Sequence, residues 1–139
     1  RKKNGDQMET YLPPHVKALQ GLDRLKKEKA WQKGLVKQYY SDLSVIMRTY
    51  LEERYGFPAM ESITAEILES FAPYTYEDDF LLEMLDNMLI MSDLVKFARE
   101  DPAPMENETH LNNAYIFIEK TREKEKFEKE SSSHEKSEV

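Results

Sequence analysis

Between Val36 and Leu51 the apolar positions are Val36, Tyr39, Tyr40, Leu43, Ile46, Met47, Tyr50 and Leu51. Steps of three and four put all of them on one face of a helix with 3.6 residues per turn. Lys37, Asp42, Arg48, Glu52 and Glu53 fall on the other face. This predicts a helix from about Leu35 to Tyr55, ended by Gly56 and kept from continuing by Pro58. Upstream, Leu12-Pro13-Pro14 opens an earlier helix, because proline suits a first turn. Ala18, Leu19, Leu22, Leu25, Ala30 and Trp31 give that helix its buried side, and Gly34 is its expected C-cap or hinge. A linker this short makes the two helices an antiparallel hairpin.

The same reading continues downstream. A short helix follows Ser62-Ile63-Thr64, with Thr64 expected as N-cap, Glu66 in the first turn, and Ile67, Leu68 and Phe71 facing inward. Pro73 ends it. Glu77, Asp78 and Asp79 begin a fourth helix whose broad apolar face is Phe80, Leu81, Met84, Leu85, Met88 and Leu89. Ser92-Asp93 leaves two possibilities: one bent helix through Ala98, or two helices. Asp101-Pro102-Ala103-Pro104 is a stop. A fifth helix from about Glu106 to Arg122 buries Leu111, Ala114, Tyr115 and Ile118. The fold class expected is all-α: a five-helix bundle over residues 12–122, built on the hairpin, with disordered termini. Those termini are a flexible leader over residues 1–11 and a charged tail over 123–139, rich in Glu, Lys and Ser.

Composition agrees with one helical domain. The chain has 139 residues, 40% of them hydrophobic and 34% charged, and only 4 glycines. No long alternation of apolar and polar residues favours a sheet. Cysteine is absent, which removes thiolate chemistry, disulfides and cysteine-ligated zinc from this chain. No apolar run approaches the roughly 20 residues that span a bilayer. The opening Arg1-Lys2-Lys3 is read either as the edge of an excised piece or as the cytoplasmic flank of a membrane helix upstream.

Charge is unevenly spread. Residues 1–54 carry net +5, residues 55–118 net −11 and residues 119–139 net −1. Either the two main segments attract each other within the fold, or an acidic surface faces a basic partner.

Candidate chemistry is sparse. Glu106 and His110 share a helix face, but a metal site needs three or four convergent ligands, so His110 is read as an exposed surface residue. Asp79, Glu83 and Asp86 also share a face and are read as solvated. No nucleophile elbow and no glycine-rich phosphate loop is present, the glycines being Gly5, Gly21, Gly34 and Gly56. No cofactor, metal or catalytic residue is expected. Lys17, Arg24, Lys26, Lys27, Lys29 and Lys33, with Trp31 nearby, allow an alternative: a helix-turn-helix-like domain tracking phosphates with its first helix, or that helix resting on anionic lipid. The tyrosines 39, 40 and 50 lie on the core stripe, with a partner groove as the other reading. Met84, Met88, Met91 and Met105 are read as core filling.

Several short blocks occur in order: Leu22, Leu25, Glu28 and Trp31; Tyr39-Tyr40; Leu51-Glu52-Glu53-Arg54-Tyr55-Gly56-Phe57-Pro58-Ala59; Thr64-Ala65-Glu66-Ile67-Leu68; and Ser92-Asp93-Leu94-Val95-Lys96-Phe97-Ala98. Over roughly residues 12 to 122 this order resembles the cytoplasmic helical segment of BatD-like bacterial envelope proteins. It is also similar to short single-span proteins encoded beside MoxR-type ATPases and von Willebrand A-domain proteins. The resemblance implies a non-catalytic protein-interaction domain on the cytoplasmic face of the bacterial inner membrane, tethered through a segment upstream of Arg1. It also implies MoxR-like ATPase and A-domain partners, and no nucleic acid. It supplies no catalytic residues. The candidate partner contacts are Lys26, Lys27, Lys33, Arg54 and Lys96.

Overall fold

The computed structural model describes residues 11–75 and 78–124. Its α-helices are α1 (Pro14–Glu28), α2 (Val36–Tyr55), α3 (Thr64–Phe71), α4 (Asp79–Ala98) and α5 (Pro104–Thr121). Single 3₁₀ turns at Trp31–Lys33, Ala59–Glu61 and Ala72–Tyr74 connect them. Among the described residues there is no strand, and the protein is an all-α bundle. The leader expected over 1–11 and the tail over 123–139 lie outside the described residues, except for Tyr11, Glu123 and Lys124.

Four long helices form the bundle. α1 packs on α2, α2 on α4, α4 on α5, and α5 back on α1. Lys17 meets Glu53 at 2.9 Å, and a Cβ on Gly21 would lie 3.2 Å from the Ile46 side chain, so α1 and α2 run antiparallel at close range. Tyr115 reaches Asp23, and Lys120 reaches Asp78, which sets α5 antiparallel to both α1 and α4. The result is an up-down-up-down arrangement with α3 inserted between the second and third members and packed on α4. Leu22, Leu43, Met47, Leu51, Leu85, Phe117 and Ile118 fill the centre. Burial of each such side chain contributes about 1.5–3 kcal/mol.

α2 and α5 lie on a diagonal, and polar side chains span it. The Tyr39 hydroxyl donates to the Asn107 carbonyl at 2.8 Å, and Tyr40 donates to Asn107 Oδ1 at 2.6 Å. At the other end Tyr50 and Thr121 hydroxyls are 2.7 Å apart, and Arg54 Nε donates to the Thr121 carbonyl at 2.9 Å. Thr121 gives its own proton to the Phe117 carbonyl, so Tyr50 is the donor. Tyr39 pairs low and Tyr50 high along both helices, which fixes α2 and α5 as parallel.

Several boundaries differ from expectation. α1 ends at Glu28, not near Gly34. Lys29 turns left-handed (φ 53°) and Gly34 does so again (φ 86°), so Ala30 and the 3₁₀ turn from Trp31 lie in a reversal instead of in α1. Thr64 is the first helical residue of α3, not its cap. Its hydroxyl donates to Asp93 Oδ2 at 2.6 Å, leaving Glu66 to accept the Ile63 N–H at 3.0 Å. α4 is one continuous helix, because the buried Ser92 returns its hydroxyl to the Met88 carbonyl at 2.8 Å without breaking the ladder. α5 starts two residues early at Pro104, where Glu106 accepts the Ala103 N–H at 2.9 Å.

Arg48, Phe80 and Met105 sit in other surroundings than expected; Met105, read as core filling, is 77% exposed. Arg48, placed on the polar face, is half-buried. It donates to Ser44 Oγ at 2.9 Å, to the Ala59 carbonyl at 3.1 Å and to the Ser62 carbonyl, tying the α2–α3 connection to α2. Burial lowers its pKa, opposed by nearby Asp93. Phe80, placed in the core, is 68% exposed, because Leu81 takes the inward position.

Candidate interaction surface

The reversal after α1 creates a cleft of about 370 Å³ against α5. Buried Leu25, Tyr39 and Leu111 form its inner wall, while Lys26, Lys29, Trp31, Gln32, Glu108 and Asn112 form its rim. Of the candidate contacts, only Lys26 lies here. Lys27 and Lys33 are exposed on the same end of the molecule but do not line the cleft. Lys29, on the basic run though not among the candidate contacts, lines the same rim as Lys26 and the half-buried Trp31.

Arg54 and Lys96 sit elsewhere. Arg54 holds the C-terminal end of α5 through the Thr121 carbonyl, and its guanidinium lies 4.6 Å from the Tyr55 ring centre. Lys96 is half-buried on α4, its amine 5.4 Å from the Phe97 ring centre. The five candidates therefore occupy three separate places.

Behind the cleft lies a polar interior. Burial, and then Glu108, raises the Tyr39 pKa; burial, and then Tyr39 and Glu106, raises that of Tyr40. Tyr50 at the far end is pushed up to about 12 by burial. These phenols stay protonated and act as hydrogen-bond donors between helices. His110 corrects a sequence expectation: it is not a surface residue but only 8% exposed. Its ring stands edge-on to Tyr40 at 5.9 Å, and its Nδ1 is buried without a hydrogen-bond partner. Burial lowers its pKa against a weaker opposing pull from Glu106, so the neutral imidazole is favoured.

Among the described residues, no three His, Asp or Glu side chains converge to hold a metal. Asp79 and Glu83 are exposed and Asp86 half-exposed.

No protein family, curated protein or solved structure matches this chain.

The outside of the molecule carries the remaining unusual chemistry. Phe97 is 78% exposed, and Phe80, Ile63, Ile90, Leu94 and Met105 are exposed as well. Apolar residues occur on both sides of α4, more than one buried stripe can absorb. No helix among the described residues is long and apolar enough to cross a membrane.

Proposed function

We propose that this chain is a non-catalytic protein-interaction module of a bacterial envelope protein, held at the cytoplasmic face of the inner membrane. Its partners are a MoxR-type ATPase and von Willebrand A-domain proteins, as the resemblance to BatD-like proteins implies. The observation that carries the interaction reading is the exposure of large apolar side chains on a well-packed body, Phe97 and Phe80 foremost. The displaced titratable groups, by contrast, serve the scaffold: Tyr39, Tyr40, Tyr50 and Arg48 each bridge two chain segments. Affinity purification with the protein expressed in its native cell tests the proposal. The ATPase or an A-domain protein is expected to be enriched over an unrelated helical bait, and equal recovery of both with that bait contradicts the reading.

A second reading has its own observation: Lys26 and Lys29 flank Trp31 at the rim of one cleft. That grouping suits a phosphate backbone with a base stacked on the indole. Lys17, by contrast, is already paired with Glu53, and Glu108 sits on the same rim. Gel shifts at increasing salt decide: a mobility shift that persists at physiological salt and is lost on Lys26→Glu with Lys29→Glu supports nucleic-acid binding.

A further inference from the structure

α4 has two stripes. Leu81, Leu85, Met88, Leu89, Ser92 and Val95 face the bundle. Opposite them, Phe80, Glu83, Asn87, Ile90, Leu94 and Phe97 are all exposed, in steps of three, four, three, four and three. That is the spacing of a helix-pairing seam, the pattern that keeps successive residues against one partner helix. Ile63, 65% exposed, directly precedes Thr64, whose hydroxyl donates to Asp93 on α4.

The charge around this stripe is acidic up to its C-terminal turn. Asp79, Asp86 and Asp93, seven residues apart, run along one edge, and Glu83 stands within it. Lys96, the one cation of α4, stands three residues after Asp93 with its amine 5.4 Å from the Phe97 ring centre, and marks the C-terminal limit of the acidic edge. Residues 55–118 as a whole carry net −11. The ion pairs among the described residues, Lys17–Glu53, Lys120–Asp78 and Arg122–Glu119, leave these carboxylates out, although Asp93 already accepts from Thr64 and attracts Arg48.

We infer that the outer face of α4 is a docking surface for a basic amphipathic helix on a partner protein. Apolar residues of that helix cover Ile90, Leu94 and Phe97, and its flanking cations meet Asp79, Glu83, Asp86 and Asp93. A second copy of this chain would set the same carboxylates against each other, and an anionic membrane would repel them. The inference rests on the reading of the chain as an interaction module and names the face and the chemistry of its partner.

The test uses synthetic helical peptides as probes, followed by fluorescence anisotropy against the full chain. One probe has leucine at alternating steps of three and four with lysine on both flanks. A second keeps the leucines and carries glutamate on the flanks. The lysine probe is expected to bind, to weaken as salt rises, and to lose at least about ten-fold in affinity with Leu94→Ser plus Phe97→Ser. These positions are exposed, and an unchanged circular dichroism spectrum verifies folding; Gln20→Glu, exposed on α1, leaves the binding unchanged. The inference is overturned if the lysine probe does not bind, if the glutamate probe binds as tightly, or if the serine variant binds normally. It is equally overturned if the wild type dimerises and Phe97→Lys abolishes the dimer. Recovery of the ATPase by the serine variant overturns the α4 assignment while leaving the proposed function standing. Probe binding through α4 without any ATPase or A-domain partner does the reverse.

Discussion

Tyr40 and Tyr115 are both tyrosines with a hydroxyl bonded across the bundle, yet their surroundings give them different weight. Tyr40 is fully buried and donates to Asn107 Oδ1, whereas Tyr115 donates to Asp23 at a solvent-exposed position. Tyr40→Phe leaves a buried amide oxygen unpaired and is expected to cost about 1–3 kcal/mol. Tyr115→Phe lets water replace the lost donor and is expected to stay within about 0.5 kcal/mol. Urea unfolding of the two variants measures the difference. His110 adds a pH dependence. Its pKa is lowered by burial from the ordinary 6.5, so the unfolded chain binds the proton more readily than the folded one. The neutral imidazole therefore imposes no penalty above about pH 6.5, and stability falls as pH drops below that value. His110→Phe is expected to flatten the wild-type loss of urea midpoint between about pH 7.5 and 5.5. An equal slope in both proteins contradicts this. The burial of His110 was legible in principle, because Asn107, His110, Leu111, Ala114, Phe117, Ile118 and Thr121 continue one helical stripe. Residue type masked it: the acidic neighbours Glu106 and Glu108 suggested a wet surface. What no spacing revealed is that Asn107 serves both Tyr39 and Tyr40, a contact 67 and 68 residues away in sequence.

Helix existence was legible because each element carries its own apolar period, and the ends were less so because they depend on backbone choices that several residues can make. Gly56 was found from sequence and takes φ 89° after α2, whereas Lys29 and Arg99 do the same job after α1 and α4 without being glycine. A side chain is strained in that left-handed region, and glycine is not. Gly56→Ala is expected to lose about 1 kcal/mol, and Arg99→Gly to gain about 0.5–1 kcal/mol, read as shifts in melting temperature of opposite sign. Space does not confuse the first of these, since a Cβ on Gly56 meets nothing within 4 Å. α4 shows a different limit. Its period is clear, but apolar residues on two faces make the inward stripe ambiguous, and Phe80 was assigned to the wrong one. Only the packing of α2 and α5 against it decides the matter.

At the scale of the whole molecule, short connections predicted antiparallel neighbours, and the hairpin of α1 and α2 follows from them. The cyclic order α1–α2–α4–α5 does not, because it rests on side chains that cross the diagonal: Tyr39 and Tyr40 at one end, Tyr50 and Arg54 at the other. The charge imbalance likewise has a structural outcome that composition left open. None of the ion pairs among the described residues joins residues 1–54 to residues 55–118, although Arg48 and Asp93 attract each other through space. Much of the acidity therefore remains on the outside, beside the apolar stripe of α4. On the proposed function, partners meet this exterior while the tyrosine- and histidine-bearing interior only supports it. Amide chemical-shift mapping by NMR, with the chain titrated by the lysine-flanked peptide, tests that division most directly. The largest shifts are expected at Ile63, Asn87, Ile90, Leu94 and Phe97, with Tyr39, Tyr40, Asn107 and His110 unmoved; largest shifts at those four interior residues would contradict it.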